Sequence, residues 1–198
     1  MEINIGNIIS EGIQLGIRNL LPLMVNLVLY ILTIWIPYLN VGTTIGIIGL
    51  IAKMGRDGGI SHTEIFSKDY RKYMGEFILV MAFMGIGVMF GIYFLLIPGI
   101  VIAIAWGQAS LLVIDKGFDP IAAIKKSNDL TYGKKWDIFL GLFIMQMIIF
   151  SAIGIISFIG MKIHPTIGMV LSLAALVVAG PIFMGAQAFI YRELSKSL

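Results

Sequence analysis

Residues 77–114 read FILVMAFMGIGVMFGIYFLLIPGIVIAIAWGQASLLVI, a run of 38 uncharged residues with the pair Pro98-Gly99 near its centre. A straight helix rises about 1.5 Å per residue, so this run would be about 57 Å long, almost twice the roughly 30 Å of hydrocarbon in a bilayer. Proline biases the residue before it away from the helical region, and glycine accepts the backbone angles of a tight reversal. The stretch therefore predicts two membrane-spanning helices joined by a turn at Pro98-Gly99.

The composition of the whole chain indicates an integral membrane protein. Its mean hydropathy is +0.97, and 13% of its 198 residues are charged, against about a quarter in an ordinary soluble domain. Three further uncharged runs reach the roughly 20 residues that a spanning helix needs; they are Asn19–Ala52, Ile138–Met161 and Ile163–Tyr191. We expect a single integral membrane domain over residues 1–198.

The same turn signal recurs in two of these regions. Proline interrupts the first uncharged run at Pro37 and separates the last two at Pro165. The predicted fold is therefore an all-α polytopic membrane protein, with six transmembrane helices arranged as three hairpins that form loose repeats of about 1–54, 55–115 and 116–191. The predicted hairpin turns are Pro37, Pro98, Gly99 and Pro165. Segment 41–53 is short for a span, and the sequence leaves open whether it crosses fully.

The basic residues predict the orientation of these spans. Of 14 Lys and Arg residues, 13 fall at the N-terminal side, in the two long loops or after Tyr191, and Lys162 alone lies at a hairpin tip. By the positive-inside rule, both termini and both long loops face the cytoplasm. The N-terminus carries Glu2 and Glu11 with no basic n-region, so we expect no removable signal peptide and a location in the cytoplasmic membrane.

Three polar stretches have the periodicity of helices that lie along the membrane surface. In the first, apolar residues follow helical spacing at Ile5, Ile8, Ile9, Ile13, Ile17 and Leu20. The second, residues 61–74, opens with a capping box formed by Ser61 and Glu64. The third opens with Asp119 and Pro120 and stops near Gly133. We expect three interfacial amphipathic helices.

Three motifs resemble a known membrane family. LLIPGIVIAIAWGQASLLVID at 95–115, PIAAIKKSNDLTYGKKWDIFLGLFI at 120–144 and PIFMGAQAFIYREL at 181–194 are similar to the membrane domain of glycerophosphoryl diester phosphodiesterases and its stand-alone prokaryotic relatives. The resemblance implies six spans in the cytoplasmic membrane. It does not imply hydrolysis, because the chemistry of the fused proteins belongs to a separate (β/α) barrel of typically about 250 residues, longer than this chain.

The sequence holds no cluster of groups that hydrolysis, phosphoryl transfer or redox chemistry would need. There is no cysteine, and the two histidines, His62 and His164, are expected on opposite sides of the bilayer, where they cannot share a metal. The net charge of +3 is too small to indicate nucleic acid binding. We therefore expect no enzymatic activity, no metal and no cofactor.

Four amide side chains fall inside the apolar runs, where no Asp, Glu, Lys or Arg lies deep. They are Asn26, Gln108, Gln146 and Gln187. The favoured interpretation is interhelical hydrogen bonding, because a lone amide in lipid is costly and seeks a partner. The alternative is a polar vestibule open to the cytoplasm, which would need the four amides to converge on water.

Seven basic residues near the expected membrane surface are candidates for lipid headgroup contact. This basic set comprises Arg18, Arg71, Lys72, Lys125, Lys126, Lys134 and Lys135. Determination of topology alone would also explain them, and nearby acidic residues would weaken a phosphate site.

The sequence thus favours a non-enzymatic scaffold or accessory protein of the cytoplasmic membrane that contacts lipid headgroups or a protein partner. The expected partners are membrane lipids and either a second copy of the chain or another protein. The alternative is a small channel or uncoupled transporter lined by the four amides.

Overall fold

The computed structural model describes residues 2–56 and 58–198. Within these ranges the regular structure is helical throughout and contains no β-strand, which confirms the all-α fold class. The α-helices are α1 Ile5–Arg18, α2 Leu20–Thr33, α3 Leu39–Gly55, α4 Met74–Phe94, α5 Leu96–Trp106, α6 Ala109–Lys116, α7 Pro120–Thr131, α8 Lys135–Ile163 and α9 Pro165–Ser195. Two short 3₁₀ helices, Glu64–Phe66 and Asp69–Tyr73, lie between α3 and α4.

Four segments of the described chain are long and apolar enough to cross a membrane: Asp69–Phe94, Leu96–Lys116, Lys135–Ile163 and Pro165–Ser195. The helices α1 and α2 meet at 80° and would supply a fifth crossing if they acted as one bent span. Helix α3 is shorter than these segments. The chain is therefore a membrane-embedded helical protein, with four to five candidate spans in the described residues, whereas six were predicted.

Helices α8 and α9 form an antiparallel pair that reverses at the single residue His164. Its backbone is extended, with φ −162° and ψ 141°. Its N–H donates to the Gly160 carbonyl at 3.0 Å, and its own carbonyl accepts from the Gly168 N–H at 3.1 Å, so both of its backbone groups are paired. A β-carbon on Gly160 would lie 2.8 Å from the Cα of Gly168. The two backbones therefore touch at a distance that only glycine allows.

Helices α4 and α5 reverse in the same way. Leu95 is extended, with φ −161° and ψ 136°, and its N–H donates to the Gly91 carbonyl at 3.1 Å. A β-carbon on Gly91 would lie 2.7 Å from the Cα of Gly99. Both hairpins thus share one arrangement, an extended hinge residue with a glycine four positions before it and another four positions after it.

The predicted turn at Pro98-Gly99 lies three to four residues after the reversal at Leu95, whereas the predicted turn at Pro165 lies one residue after the reversal at His164. Pro98 and Gly99 lie in the first turn of α5, after the reversal at Leu95, and Pro165 is the first residue of α9. Proline is tolerated in a first helical turn because the N–H that it lacks would have no helical partner there. Gly99 serves the close contact with Gly91 instead of the backbone angles of a turn.

The buried core lies at the end of the molecule away from these two hinges. This end, called the base below, consists of α1, α2, α3, segment 58–73, α6, α7 and the C-terminal half of α9. Its largest fully buried side chains include Ile8, Leu50, Leu112 and Phe189. Large apolar side chains near the hinges are instead exposed, as expected of surfaces that face lipid. The two hairpins therefore project from the base.

The first predicted hairpin, around Pro37, belongs to the base. Segment 58–73 runs along α3, so that Gly46 packs against Ile65 and Gly49 against the Tyr70 ring. A β-carbon on Gly42, near the start of α3, would lie 3.5 Å from Cδ of Arg71. This charged segment accompanies α3 almost to its start, so α3 packs as part of the base, and α3 is not among the four segments long and apolar enough to cross a membrane. Segment 41–53 forms most of this short helix.

The first predicted surface helix exists, but with a different buried face. Its buried residues are Ile8, Gly12, Leu15 and Gly16, whereas Ile17 is exposed. A β-carbon on Gly12 would lie 2.7 Å from the Cα of Ala186 in α9. Helix α1 therefore packs directly on the backbone of α9 and not only on lipid.

The other two predicted surface helices differ in outcome. Residues 61–74 do not form an α-helix over their length but mainly two 3₁₀ helices, although Glu64 does bond back to the Ser61 N–H and hydroxyl. Helix α7 begins as predicted, with Asp119 accepting from two backbone N–H groups and Pro120 in the first position. It ends at Thr131, and Gly133 follows at φ 76°.

The hairpin contacts predict a position-dependent effect of adding one methyl group. Gly160→Ala should lower the free energy of unfolding by about 1–3 kcal/mol, because the new β-carbon overpacks the backbone at Gly168. The matched control is Gly154→Ala in the same helix, where nothing lies within 4 Å of a β-carbon, and it should leave stability unchanged or raise it. Reversible unfolding in mixed micelles measures both, and equal effects of the two substitutions would contradict the hairpin contact.

The placement of α3 in the base predicts the side from which cysteines react. The chain contains no cysteine, so single substitutions Pro37→Cys, Lys68→Cys and Lys162→Cys can be labelled with a membrane-impermeant maleimide in oriented vesicles. We expect the first two to label from one side and Lys162→Cys from the other. Labelling of Pro37→Cys and Lys162→Cys from a common side, opposite to Lys68→Cys, would restore the three-hairpin topology.

Candidate functional site

Asn26 is fully buried and all of its amide contacts go to protein. Its Nδ2 donates to the carbonyls of Pro22 and Ser61, both at 2.8 Å, and its Oδ1 accepts from the Ile65 N–H at 2.8 Å. The side chain therefore fixes segment 58–73 against α2. This arrangement agrees with the hydrogen-bonding interpretation and leaves Asn26 no group for a vestibule.

Gln108 lies at the break between α5 and α6. The Ser127 hydroxyl of α7 accepts from the Gln108 N–H at 3.1 Å and donates to the Ala105 carbonyl at 2.7 Å, so α7 supplies partners for the interrupted helix. The Gln108 Oε1 is buried without a hydrogen-bond partner. Gln108 thus holds a buried acceptor without a protein partner.

The remaining amides, Gln146 in α8 and Gln187 in α9, are partly buried. Gln146 borders a crevice between α8 and α9 together with Phe150 and Phe183. Its neighbours differ from those of Asn26, which bonds segment 58–73, and from those of Gln108, which bonds α7. These contacts do not bring the amides together around one cavity.

Asp115, at the end of α6, is a buried charge that sequence reasoning missed. Its side chain is 0% exposed, and the Tyr191 hydroxyl donates to its Oδ2 at 2.6 Å. The Arg56 Nη1 lies 2.7 Å from its Oδ1, and the Lys116 Nζ lies 3.7 Å from its Oδ2. The carboxylate thus joins the C-terminal ends of α3, α6 and α9. The available signal was its place at the end of a long uncharged run, but its partners are distant in sequence.

Glu64 forms a second polar cluster beside α3. Its Oε1 accepts from the Lys53 ammonium at 2.8 Å and from the Tyr70 hydroxyl at 3.1 Å, and its Oε2 accepts from Ser61. Burial raises the pKa of this carboxyl, but the hydrogen bonds from Lys53, Ser61 and Tyr70 more than offset that effect and hold the pKa below its ordinary value of 4.5. Glu64 therefore stays ionised and ties segment 58–73 to α3.

The basic set is distributed around the base. Five of its members are exposed and two are partly buried; the exposed ones are Arg18, Arg71, Lys72, Lys125 and Lys134. Arg71 donates to the Phe66 carbonyl at 2.6 Å, and the Lys135 ammonium donates to the Asn128 side chain at 2.9 Å. Most of the set is therefore free to meet a surface, whereas Arg71 and Lys135 are positioned by the protein.

An apolar groove of about 470 Å³ separates α5 from the start of α8. Its lining residues are Ile97, Ile100, Val101, Ile104, Tyr132, Gly133, Lys135, Trp136 and Phe139. The polar side chains belong to the α7–α8 turn and the first residues of α8, while α5 supplies an aliphatic wall. The groove therefore has one polar end and an otherwise apolar surface, and sequence reasoning identified its residues only separately.

The structure brings together no group of three or more His, Cys, Asp or Glu side chains suited to a metal ion within residues 2–56 and 58–198. His62 is exposed in segment 58–73. His164 is the hinge of the α8–α9 hairpin, where its Nδ1 accepts from the Thr166 N–H at 3.2 Å. The two histidines therefore occupy positions where a turn or surface role explains them.

Comparisons with protein-family models, curated proteins and solved structures find no match for this chain. The resemblance to the membrane domain of glycerophosphoryl diester phosphodiesterases remains a prediction from three sequence motifs.

The Glu64 cluster predicts a loss of stability in acid. The pKa of the Glu64 carboxyl is lower in the folded chain than in the unfolded chain. The stabilisation that this carboxylate contributes is therefore present above the ordinary pKa near 4.5 and is lost as the pH falls through the lower folded-state pKa. Unfolding free energies at pH 7, 5, 4 and 3 should fall more steeply for the natural sequence than for Glu64→Gln. The control Asp129→Asn, which alters an exposed carboxyl on α7, should keep most of the dependence of the unfolding free energy on pH. A slope unchanged in Glu64→Gln would contradict the assignment.

Proposed function

We propose that the protein is a non-enzymatic scaffold or accessory protein of the cytoplasmic membrane, whose base contacts lipid headgroups or a protein partner. The observation that carries the proposal is the separation of charges in the base. Among the described residues, ten Lys and Arg side chains are exposed against five Asp and Glu side chains, because carboxylates such as those of Asp115, Glu193 and Glu64 are only 0%, 3% and 14% exposed. Positive charge therefore remains on the surface beside apolar helices, where anionic lipid phosphates lie.

The predicted orientation supports the same proposal. Thirteen of 14 basic residues belong to the base side of the chain by sequence, and Lys162 lies beside the α8–α9 hinge. With the base on the cytoplasmic side, the basic set would meet the leaflet that carries anionic lipids. A protein partner with an acidic surface would meet the same residues.

A channel or uncoupled transporter is the alternative. A water-lined path needs amides that face a common space, but the buried side chain of Asn26 forms its hydrogen bonds with backbone groups of the protein. Gln108 Oε1 is the one observation that favours the alternative, because it is a buried acceptor in the interrupted span Leu96–Lys116. A single acceptor is weaker support than the charge separation at the base.

The test measures lipid selectivity directly. The protein is reconstituted in phosphatidylcholine with trace spin-labelled phosphatidylglycerol or phosphatidylcholine, and electron spin resonance gives the bound fraction of each. One basic residue near a membrane surface contributes about 1 kcal/mol, so the anionic lipid should associate about fivefold more strongly. In the variant Arg18→Gln/Lys72→Gln/Lys125→Gln/Lys134→Gln the ratio should fall clearly below that of the natural sequence. Arg71 and Lys135 are left intact because they bond to protein groups.

Two controls make this test decisive. Lys162→Gln removes one charge at the hairpin tip and should leave the ratio unchanged at the base-side leaflet. Ion and solute flux is then measured in liposomes with the natural sequence and with Gln108→Leu/Gln146→Leu. Flux that disappears in this variant while it remains folded, combined with no lipid selectivity, would replace the proposal by the channel alternative.

A further inference from the structure

We propose that the groove between α5 and α8 is a binding site for one anionic phospholipid, with an acyl chain along α5 and the phosphate at Lys135. This inference rests on the proposed function and names the ligand class and the place for one of its lipid contacts. The groove opens beside two helices that are candidates to cross the membrane, Lys135–Ile163 and the α5 part of Leu96–Lys116.

The wall of the groove fits a hydrocarbon chain. Four aliphatic side chains at Ile97, Ile100, Val101 and Ile104 recur at helical spacing on α5, and Phe139 faces them from α8. From Ile97 to Ile104 the wall extends about 10 Å along the helix axis. The volume of the groove, about 470 Å³, falls within the roughly 300–1,000 Å³ of sites that bury small ligands. Water would find few partners on this wall, so an apolar chain is the occupant that its chemistry favours.

The polar end fits a phosphate. Lys135 lines the groove, and its bond to the Asn128 side chain at 2.9 Å fixes the ammonium while leaving its other two donors available. Tyr132 and Trp136 border the same end and are 80% and 72% exposed. Amphipathic aromatic side chains of this kind settle at headgroup level. A lysine held at the end of an apolar groove therefore matches a lipid phosphate at the end of an acyl chain.

The local charge favours an anionic over a zwitterionic headgroup. Around the α7–α8 turn the chain carries Lys125, Lys126, Lys134 and Lys135 against Asp129 and Asp137. Of these six charged residues, Lys135 lines the groove and neither aspartate does. A choline group would add a second positive charge near this surplus, whereas a glycerol headgroup would not.

Trp136 offers a reporter inside the site. The chain has three tryptophans; Trp35→Phe/Trp106→Phe leaves Trp136 alone, and Trp106→Phe/Trp136→Phe leaves Trp35, which is 85% exposed in the α2–α3 turn. Each protein is reconstituted in phosphatidylcholine that contains a small fraction of lipid with brominated acyl chains, either phosphatidylglycerol or phosphatidylcholine. Bromine quenches indole fluorescence at short range, so quenching reports how often the brominated lipid lies beside the tryptophan.

In the variant that keeps only Trp136, brominated phosphatidylglycerol should bind beside Trp136 about fivefold more strongly than brominated phosphatidylcholine, because one lysine at the groove contributes about 1 kcal/mol. Lys135→Gln should abolish most of this preference, while Lys162→Gln should preserve it. The Trp35 reporter should show a clearly smaller preference because Trp35 does not line this groove. Equal quenching of Trp136 by the two lipids, or a preference that survives Lys135→Gln, would overturn the proposal.

The failure of this inference can be told apart from failure of the proposed function. If electron spin resonance shows anionic selectivity but Trp136 shows none, the groove is not the site and the function stands. If both show none, the lipid arm of the function also fails. Should the reporter variants not fold, native mass spectrometry of the natural sequence and of Lys135→Gln answers the same question. Loss of one retained phosphatidylglycerol in Lys135→Gln supports the groove, and unchanged retention rejects it.

Discussion

The bilayer supplies no hydrogen-bond partner for a backbone N–H or carbonyl, and this constraint shapes both long hairpins. A conventional turn of several residues would leave such groups unpaired near the far side of the membrane. Here the chain reverses at one extended residue, Leu95 or His164, whose N–H is bonded to the preceding helix. The reversal is sharp enough only because glycines on the two helices touch, as Gly160 and Gly168 do. Substituting a larger residue there would separate the helices along their length.

The base differs from the hairpins because it holds charged side chains inside a largely apolar protein. The Asp115 side chain is completely buried, yet it has the Tyr191 hydroxyl at 2.6 Å and the Arg56 guanidinium at 2.7 Å. A buried carboxylate without such partners would be costly. Since its partners come from α3 and α9, the carboxylate also fixes these helices relative to α6. Asp115 therefore links three helices of the base, the part of the protein that also carries most of the exposed lysines and arginines.

Hydropathy predicted the class of fold, since long uncharged runs have few alternatives to membrane helices. It misplaced the reversal at Pro98-Gly99 because proline suits a helix start as well as a turn, and because glycine is needed there for its size. It also did not predict how α3 packs. The contacts that place α3 in the base, such as Gly46 with Ile65 and the bond from Asn26 to Ser61, join residues that periodicity does not connect.

The same limit applies to the groove. Lys135 and Trp136 could be recognised from the sequence as residues of a membrane boundary. Their position relative to Ile97–Ile104, however, depends on how the α4–α5 hairpin packs beside the α8–α9 hairpin. Helices α5 and α8 share few direct contacts, and the groove occupies the space between them. An acyl chain there would pack against both hairpins at once and supply apolar contact that the protein itself does not. The spacing of the hairpins would then depend on the lipid beside them, while Asn128, which orients Lys135 from α7, would connect that lipid to the base.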